Sequence, residues 1–279
     1  MISLAYEKIA AWWREKQIRT AADVALEMNG NGAAFIYHSA KIENDKITYH
    51  DTREIYDHGG VTGYTGDVRS LFEIQNSVTA YRRMLDAFEK REPLNEALLL
   101  EFQGLLTQGT YDTLRYQKGE RPGTYKKNDY VTGPQEVGAL PEDVPEELDE
   151  LLAELEHIRP EQALTAAAYF HAKFENIHPF ADGNGRTGRL LMNYLLLLWD
   201  HPPIIIHEED RKEYYHALAE FDNRQDLAPL TAFLRACLKS FDKREGKADK
   251  KGKQAGDDGE CVNIQAISAG KSMKRYERI

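Results

Sequence analysis

Apolar residues recur at helical spacing along most of this 279-residue chain. Tyr6, Ile9, Ala10 and Trp13, then Val24, Ala25 and Met28, predict a helix over residues 5–28, stopped by Asn29-Gly30-Asn31-Gly32. A second, short helix is predicted over 33–43, and turn chemistry follows at His58-Gly59-Gly60. Over 68–90, Leu71, Ile74, Val78, Tyr81, Leu85 and Phe88 fall on one face of a long helix. Pro93 suits the first turn of the next helix, which runs to about 108. Residues 109–141 break the pattern with Gly119, Pro122, Gly123, Gly133, Pro134, Gly138 and Pro141. Between these, 124–131 reads either as a hairpin or as an irregular surface loop. Helices resume over 142–157 and again from Pro160 to Phe174, where His171 lies on the apolar face as a core histidine. Leu190-Leu191-Met192-Asn193-Tyr194-Leu195-Leu196-Leu197-Leu198-Trp199 is almost unbroken, as expected of a helix buried on all sides. A turn and a short extended stretch follow at 202–206, then helices over 209–221 and 230–241. The class read from this pattern is mainly α.

Composition changes after residue 241. Lys, Asp, Gly and Gln dominate 242–260, with no large apolar residue, which reads as a flexible linker. The last stretch, 261–279, has a basic end, Lys271, Lys274, Arg275 and Arg278, and reads first as a frayed tail, with a docking peptide as the alternative. Gly270-Lys271-Ser272 is not a phosphate loop, because that motif needs a glycine at 265 and the residue there is Gln265. A net charge of -10 argues against nucleic acid as a partner. Cys237 and Cys261 are the only cysteines, so neither a disulfide framework nor a zinc spacing is present. The start of the chain lacks the apolar core of a signal peptide, and the run from Leu190 is roughly half the ~20 residues needed to span a bilayer. The expectation is a cytoplasmic protein without a membrane segment.

The chemistry concentrates in His178-Pro179-Phe180-Ala181-Asp182-Gly183-Asn184-Gly185-Arg186-Thr187-Gly188-Arg189. The buried helix predicted next should begin at this glycine loop, and a helix N-terminus favours phosphate. His178 is a base suited to neutral pH. Asp182 is a hard oxygen ligand suited to Mg²⁺. Backbone amides of Gly183 to Gly185, with the Asn184 side chain, can form an anion nest. Arg186 and Arg189 can hold phosphates through planar, bidentate contacts. An ordinary glycine turn explains the glycines but not the crowding of His, Asp, Asn and two Arg.

This stretch resembles the Fic-family signature His-x-Phe-x-Asp/Glu-Gly-Asn-Gly-Arg-x-x-Arg, matched at every fixed position. The resemblance implies a Fic-fold helical bundle in which 61–241 is the catalytic core and a β-hairpin flap at about 119–133 clamps the target protein as an added strand. It implies transfer of AMP from Mg-ATP to a Ser, Thr or Tyr hydroxyl of a protein, including the enzyme's own chain. Tyr214, Tyr215 and Asn223 resemble the family's adenine-binding positions, with one of the adjacent tyrosines expected to be packing. Doc-type phosphotransferases carry Lys in place of the second loop glycine, so Gly185 favours AMP transfer. Upstream, Ser39-Ala40-Lys41-Ile42-Glu43-Asn44 resembles the family's inhibitory pattern, Ser/Thr-x-x-x-Glu-Gly/Asn. It implies an N-terminal helical region over 1–60 with an inhibitory helix at about 33–44, from which Glu43 reaches Arg189. The alternatives are a hydrolase that removes AMP from a modified protein at the same site, and a nucleotide-sensing binding module.

Overall fold

A computed structural model describes residues 2–28, 30–131 and 137–238. The first expected helix is two, α1 (Ile2–Glu15) and α2 (Ala21–Glu27). The break is a capping box. The Thr20 hydroxyl accepts from the Asp23 N–H at 3.1 Å while the Asp23 carboxylate accepts from the Thr20 N–H at 2.8 Å. Next come α3 (Gly32–Glu43), as expected, and α4 (Tyr49–His58), which the apolar pattern does not reveal. Its marks are chemical instead: Thr48 caps the start and Gly59, at φ 78°, closes the end. α5 (Val68–Glu89) is the long helix, and α6 (Glu96–Thr107) follows. α6 starts later than Pro93 suggests, because the Asn95 side chain accepts from the Leu98 N–H at 2.9 Å and sets the cap there. A short α7 (Thr113–Gln117) is capped by Asp112. α8 (Val144–Glu154), α9 (Ala163–Ile177), α10 (Asn184–Leu198), α11 (Arg211–Arg224) and α12 (Ala228–Cys237) complete the described chain.

α10 is the axis. Every residue from Arg186 to Leu197 is buried, which is why its sequence from Leu190 onward is almost unbroken in apolar residues. Leu191, Tyr194 and Leu195 pack with Ile74, Phe102 and Phe174 on one side. Met192 and Leu196 pack with Leu164, Tyr214, Leu218 and Leu230 on the other. α3 contributes to both clusters, through Phe35, Ile36 and Ala40 to the first and Ile42 to the second. Burying side chains of this size stabilises by about 1.5–3 kcal/mol each, so α3 is part of the core and not an appendage.

No strand occurs among the described residues. In the expected hairpin, 119–131 is turn and irregular chain, and 132–136 lies outside the described residues. The chain on either side of 132–136 is nonetheless clipped to the end of α9 and the residues after it. Lys126 N–H donates to the Pro179 carbonyl and Ala139 N–H to the Ile177 carbonyl, both at 2.9 Å. No helix among the described residues is long and apolar enough to cross a membrane. The expected linker and tail, 242–279, lie outside the described residues.

Candidate active site

α9 ends because Pro179 follows His178, and a residue before proline leaves the helical region. His178 takes φ 51°, and its N–H still closes the helix onto the Phe174 carbonyl at 3.0 Å. Its side chain lines a cleft together with Asp182, Gly183, Asn184, Gly185, Arg186 and Arg189. The Nδ1 atom is buried without a hydrogen-bond partner. Burial first, and the Lys126 cation second, push its pKa down to about 4, so the imidazole is neutral at pH 7.

The loop is braced from inside. Phe180 is fully buried between Phe174 and Tyr125, with ring centroids 6.2 and 5.9 Å away. Asn184 clasps the backbone of Phe180: its Oδ1 accepts from the Phe180 N–H at 2.9 Å and its Nδ2 donates to the Phe180 carbonyl at 2.8 Å. That side chain is therefore engaged in holding the loop through its oxygen and one of its two N–H groups. Gly183 sits at φ 82°, and a β-carbon there would press on the Thr107 side chain at 2.6 Å. α10 then begins at Asn184, leaving first-turn N–H groups without partners inside the helix.

Arg186 is buried, with Nη2 at 3.6 Å from Asp182 and Nη1 at 3.9 Å from Glu73. Its Nε and Nη1 have no hydrogen-bond partner, so this ion-paired cation keeps uncommitted donors beside the N-terminus of α10. Arg189 is buried and fully engaged. Its Nε donates to Ser39 Oγ at 3.1 Å, and Nη2 donates to the Ser39 carbonyl and to Glu43 Oε1, each at 2.8 Å. Nη1 donates to Tyr214 Oη at 3.3 Å. Ser39 and Glu43, both on α3, therefore meet Arg189 of α10. A β-carbon at Gly185 would overlap the Glu43 carboxylate, so Glu43 lies directly over the loop. With Glu43 there, the cleft holds a cavity of about 190 Å³, below the ~300–1,000 Å³ usual for ligand pockets.

Asp182 is also occupied. Oδ2 accepts from Arg69 Nη2 at 2.7 Å, with Arg115 Nη2 at 3.9 Å, and Oδ1 accepts from the Gly183 N–H at 2.7 Å. Arg69 is half exposed and also pairs with Glu73 at 3.0 Å, so it has a second partner to fall back on. Neither Arg69 nor Arg115 is marked by any local pattern, since α5 and α7 reach Asp182 only through the fold.

Of the residues expected at adenine, Tyr214 and Tyr215 line the cleft, whereas Asn223 is exposed on α11 and is not part of its lining. Tyr214 is the packing member: it is fully buried, and its hydroxyl lies 2.7 Å from His171 Nε2. Tyr215 presents an exposed face. His171 is buried as expected, yet its Nδ1 lacks a partner, as does Glu175 Oε1. Both atoms lie 2.8 Å from where a β-carbon on Gly188 would stand. Glu175 lines the cleft, and burial raises its pKa to about 8, so it carries a proton at neutral pH. Its position three residues before His178 was the only signal for it in the sequence.

The profile described as Fic/DOC family matches residues 93–196. The chain is also 32% identical, over 203 residues, to "Protein adenylyltransferase Fic" of Drosophila persimilis, covering 72% of this chain and 38% of that protein. The chain belongs to the Fic/DOC family. It spans well under half the length of its fly relative. Solved Fic structures have the same fold. A Fic domain containing signaling protein from Bacteroides thetaiotaomicron superposes with TM-score 0.70 at 24% identity, covering 85% of this chain and 93% of that one. A Fic family protein from Desulfovibrio desulfuricans G20 gives TM-score 0.65 at 27% identity, covering 88% and 75%. The Fic profile begins just before α6 and ends inside α10, so α3 and Tyr214 lie outside it.

Proposed function

We propose that this Fic protein transfers the AMP of ATP to a hydroxyl of a protein and that Glu43 restrains the transfer. The observation that carries the reading is the cleft itself. It sets a neutral histidine, the N-terminus of a buried helix and the guanidinium of Arg186, with two uncommitted donor atoms, around one space. His178 takes the proton of the incoming hydroxyl, whose oxygen attacks the α-phosphorus as pyrophosphate leaves. First-turn amides of α10 stabilise the charge that develops, being fixed before the reaction starts. Arg186 and, once released from Glu43, Arg189 hold the outer phosphates. Asp182 is the carboxylate that would hold Mg²⁺, and the ion would supply positive charge against the phosphates. The fit is sound, since one carboxylate with phosphates and waters suffices for Mg²⁺ and Arg69 has Glu73 to turn to. The segment 119–133 docks the target, supported by the two backbone bonds that clip its surroundings beside His178. Tyr215 offers its exposed ring to the base.

Glu43 in the cleft with His178 also supports the reverse reading, removal of AMP from a modified protein with Glu43 positioning a water. A purely nucleotide-sensing module is disfavoured by the intact His178 and loop.

The test is incubation with ATP labelled on the α-phosphate, in parallel with an AMP-modified protein. We expect label on protein, and a loss of ~10²–10⁴-fold in His178→Ala with ATP binding retained. Transfer at the wild-type rate in that variant would falsify the assignment. Loss of AMP from the modified protein without any addition would favour the hydrolase.

A further inference from the structure

Outside the cleft, α3 makes a second polar junction. His38 stands directly before Ser39, and its Nε2 lies 3.1 Å from Nδ1 of His207. The two rings sit with centroids 4.3 Å apart. Glu209 brings a carboxylate oxygen to 3.9 Å from His38 Nδ1. One ligand atom from each of His38, His207 and Glu209 can be chosen so that all lie within 4.8 Å of one another. His207 and Glu209 belong to the segment leading into α11, the helix that carries Tyr214 and Tyr215. Tyr37, also on α3, donates its hydroxyl to Glu208 Oε1 at 2.6 Å, so the junction is held in register without a ligand.

We propose that His38, His207 and Glu209 bind one divalent late transition-metal ion and that this ion clamps α3 to the start of α11. Imidazole nitrogens with one carboxylate suit zinc, which takes three protein ligands and a water. With zinc–nitrogen bonds of about 2.0–2.1 Å, two nitrogens on a tetrahedral ion stand roughly 3.3 Å apart, close to the spacing already present. The Glu208 N–H donates to His38 Nδ1 at 3.2 Å, so the His38 proton sits on Nε2 and points at His207 Nδ1. His207 therefore already offers a lone pair. On binding, the His38 proton shifts to its own Nδ1 and the long contact to the Glu208 amide is lost, which frees Nε2 for the metal. Glu209 is mostly exposed, and its side chain can turn away from His38 Nδ1 to bring an oxygen to the metal. The clamp affects catalysis only through the role proposed for Glu43; the site stands without it.

The experiment uses the whole chain, free of any purification tag and treated with chelator, titrated with Zn²⁺ by calorimetry and with Co²⁺ by visible absorption. One equivalent should bind. His38→Ala, His207→Ala and the exposed-site variant Glu209→Gln should each weaken binding about tenfold or more, with circular dichroism confirming an unchanged helical fold. Zn²⁺ should also slow amide hydrogen exchange across 34–43 in the wild type and not in His207→Ala. No binding in the wild type, or equal binding in all three variants, overturns the site. Stoichiometric binding with unchanged exchange in α3 overturns the clamp. Neither readout depends on AMP transfer, so failure here and failure of the adenylyltransferase reading are separate results.

Discussion

Asn184 and Asp182 show how differently two polar residues of one loop are used. Asn184 faces inward, and both of its side-chain polar atoms serve the Phe180 backbone. Asn184→Ala would leave the buried N–H and carbonyl of Phe180 unpaired, at a cost of about 1–3 kcal/mol for each group. Urea unfolding should show that loss, and an unchanged midpoint would deny the clasp its role. From sequence this asparagine reads as an anion donor, because nothing local says that the chain will curl back four residues to meet it. Asp182 faces the cleft and is neutralised by Arg69. Asp182→Asn should move the magnesium dependence of transfer to higher concentrations and lower its maximum. An identical magnesium titration would remove Asp182 from the metal site.

At the scale of elements, α3 decides whether the cleft is filled. The helix is anchored by Phe35, Ile36, Ala40 and Ile42, so removing the Glu43 side chain leaves it docked. Glu43→Gly should therefore raise transfer by opening space over Gly185, and not by unfolding the helix. If the restraint works by misplacing the reacting atoms, about 1 Å suffices for ~10²-fold, which sets the expected gain. Glu43→Ala checks the result without the added flexibility of glycine, which costs up to about 1 kcal/mol within a helix. Unchanged addition and removal of AMP in both variants would reduce the Glu43–Arg189 contact to an ordinary ion pair. Helices with a wide apolar stripe, α5 and α10 above all, were legible from spacing alone. α4 and α7 were not: α4 buries little beyond Thr52 and Ile55 and α7 buries nothing, so only their caps betray them. The arginines around Asp182 were illegible for another reason, since their proximity is made by tertiary packing.

Across the whole molecule, burial of ionisable groups shapes stability against pH. Burial pushes His171 to about 3, and His38, His178 and His201 each to about 4. Unfolded, these imidazoles return to about 6.5 and bind protons that the folded chain refuses. Their contribution is whole above about 6.5 and is lost as pH falls toward 4. Glu175 acts in the opposite sense. Its carboxyl keeps a proton up to about 8 when folded, so its contribution is present below 4.5 and lost as pH rises through 8. Four histidines outweigh one carboxyl between 4.5 and 6.5, and only Glu175 acts above. The urea midpoint should therefore peak near pH 6.5 and decline toward both 5 and 8. Glu175→Gln should flatten the upper decline; a decline that persists would place its cause elsewhere.

The contact between Glu43 and Arg189 joins residues of one chain. Its effective concentration is set by the fold, as for any tethered ligand, and does not change when the protein is diluted. If only a small fraction of molecules has Glu43 withdrawn, the apparent dissociation constant for a fully engaged ATP is the intrinsic one divided by that fraction. Occupancy of the cleft then follows the ratio of nucleotide to that constant, per molecule, whether the protein is scarce or abundant.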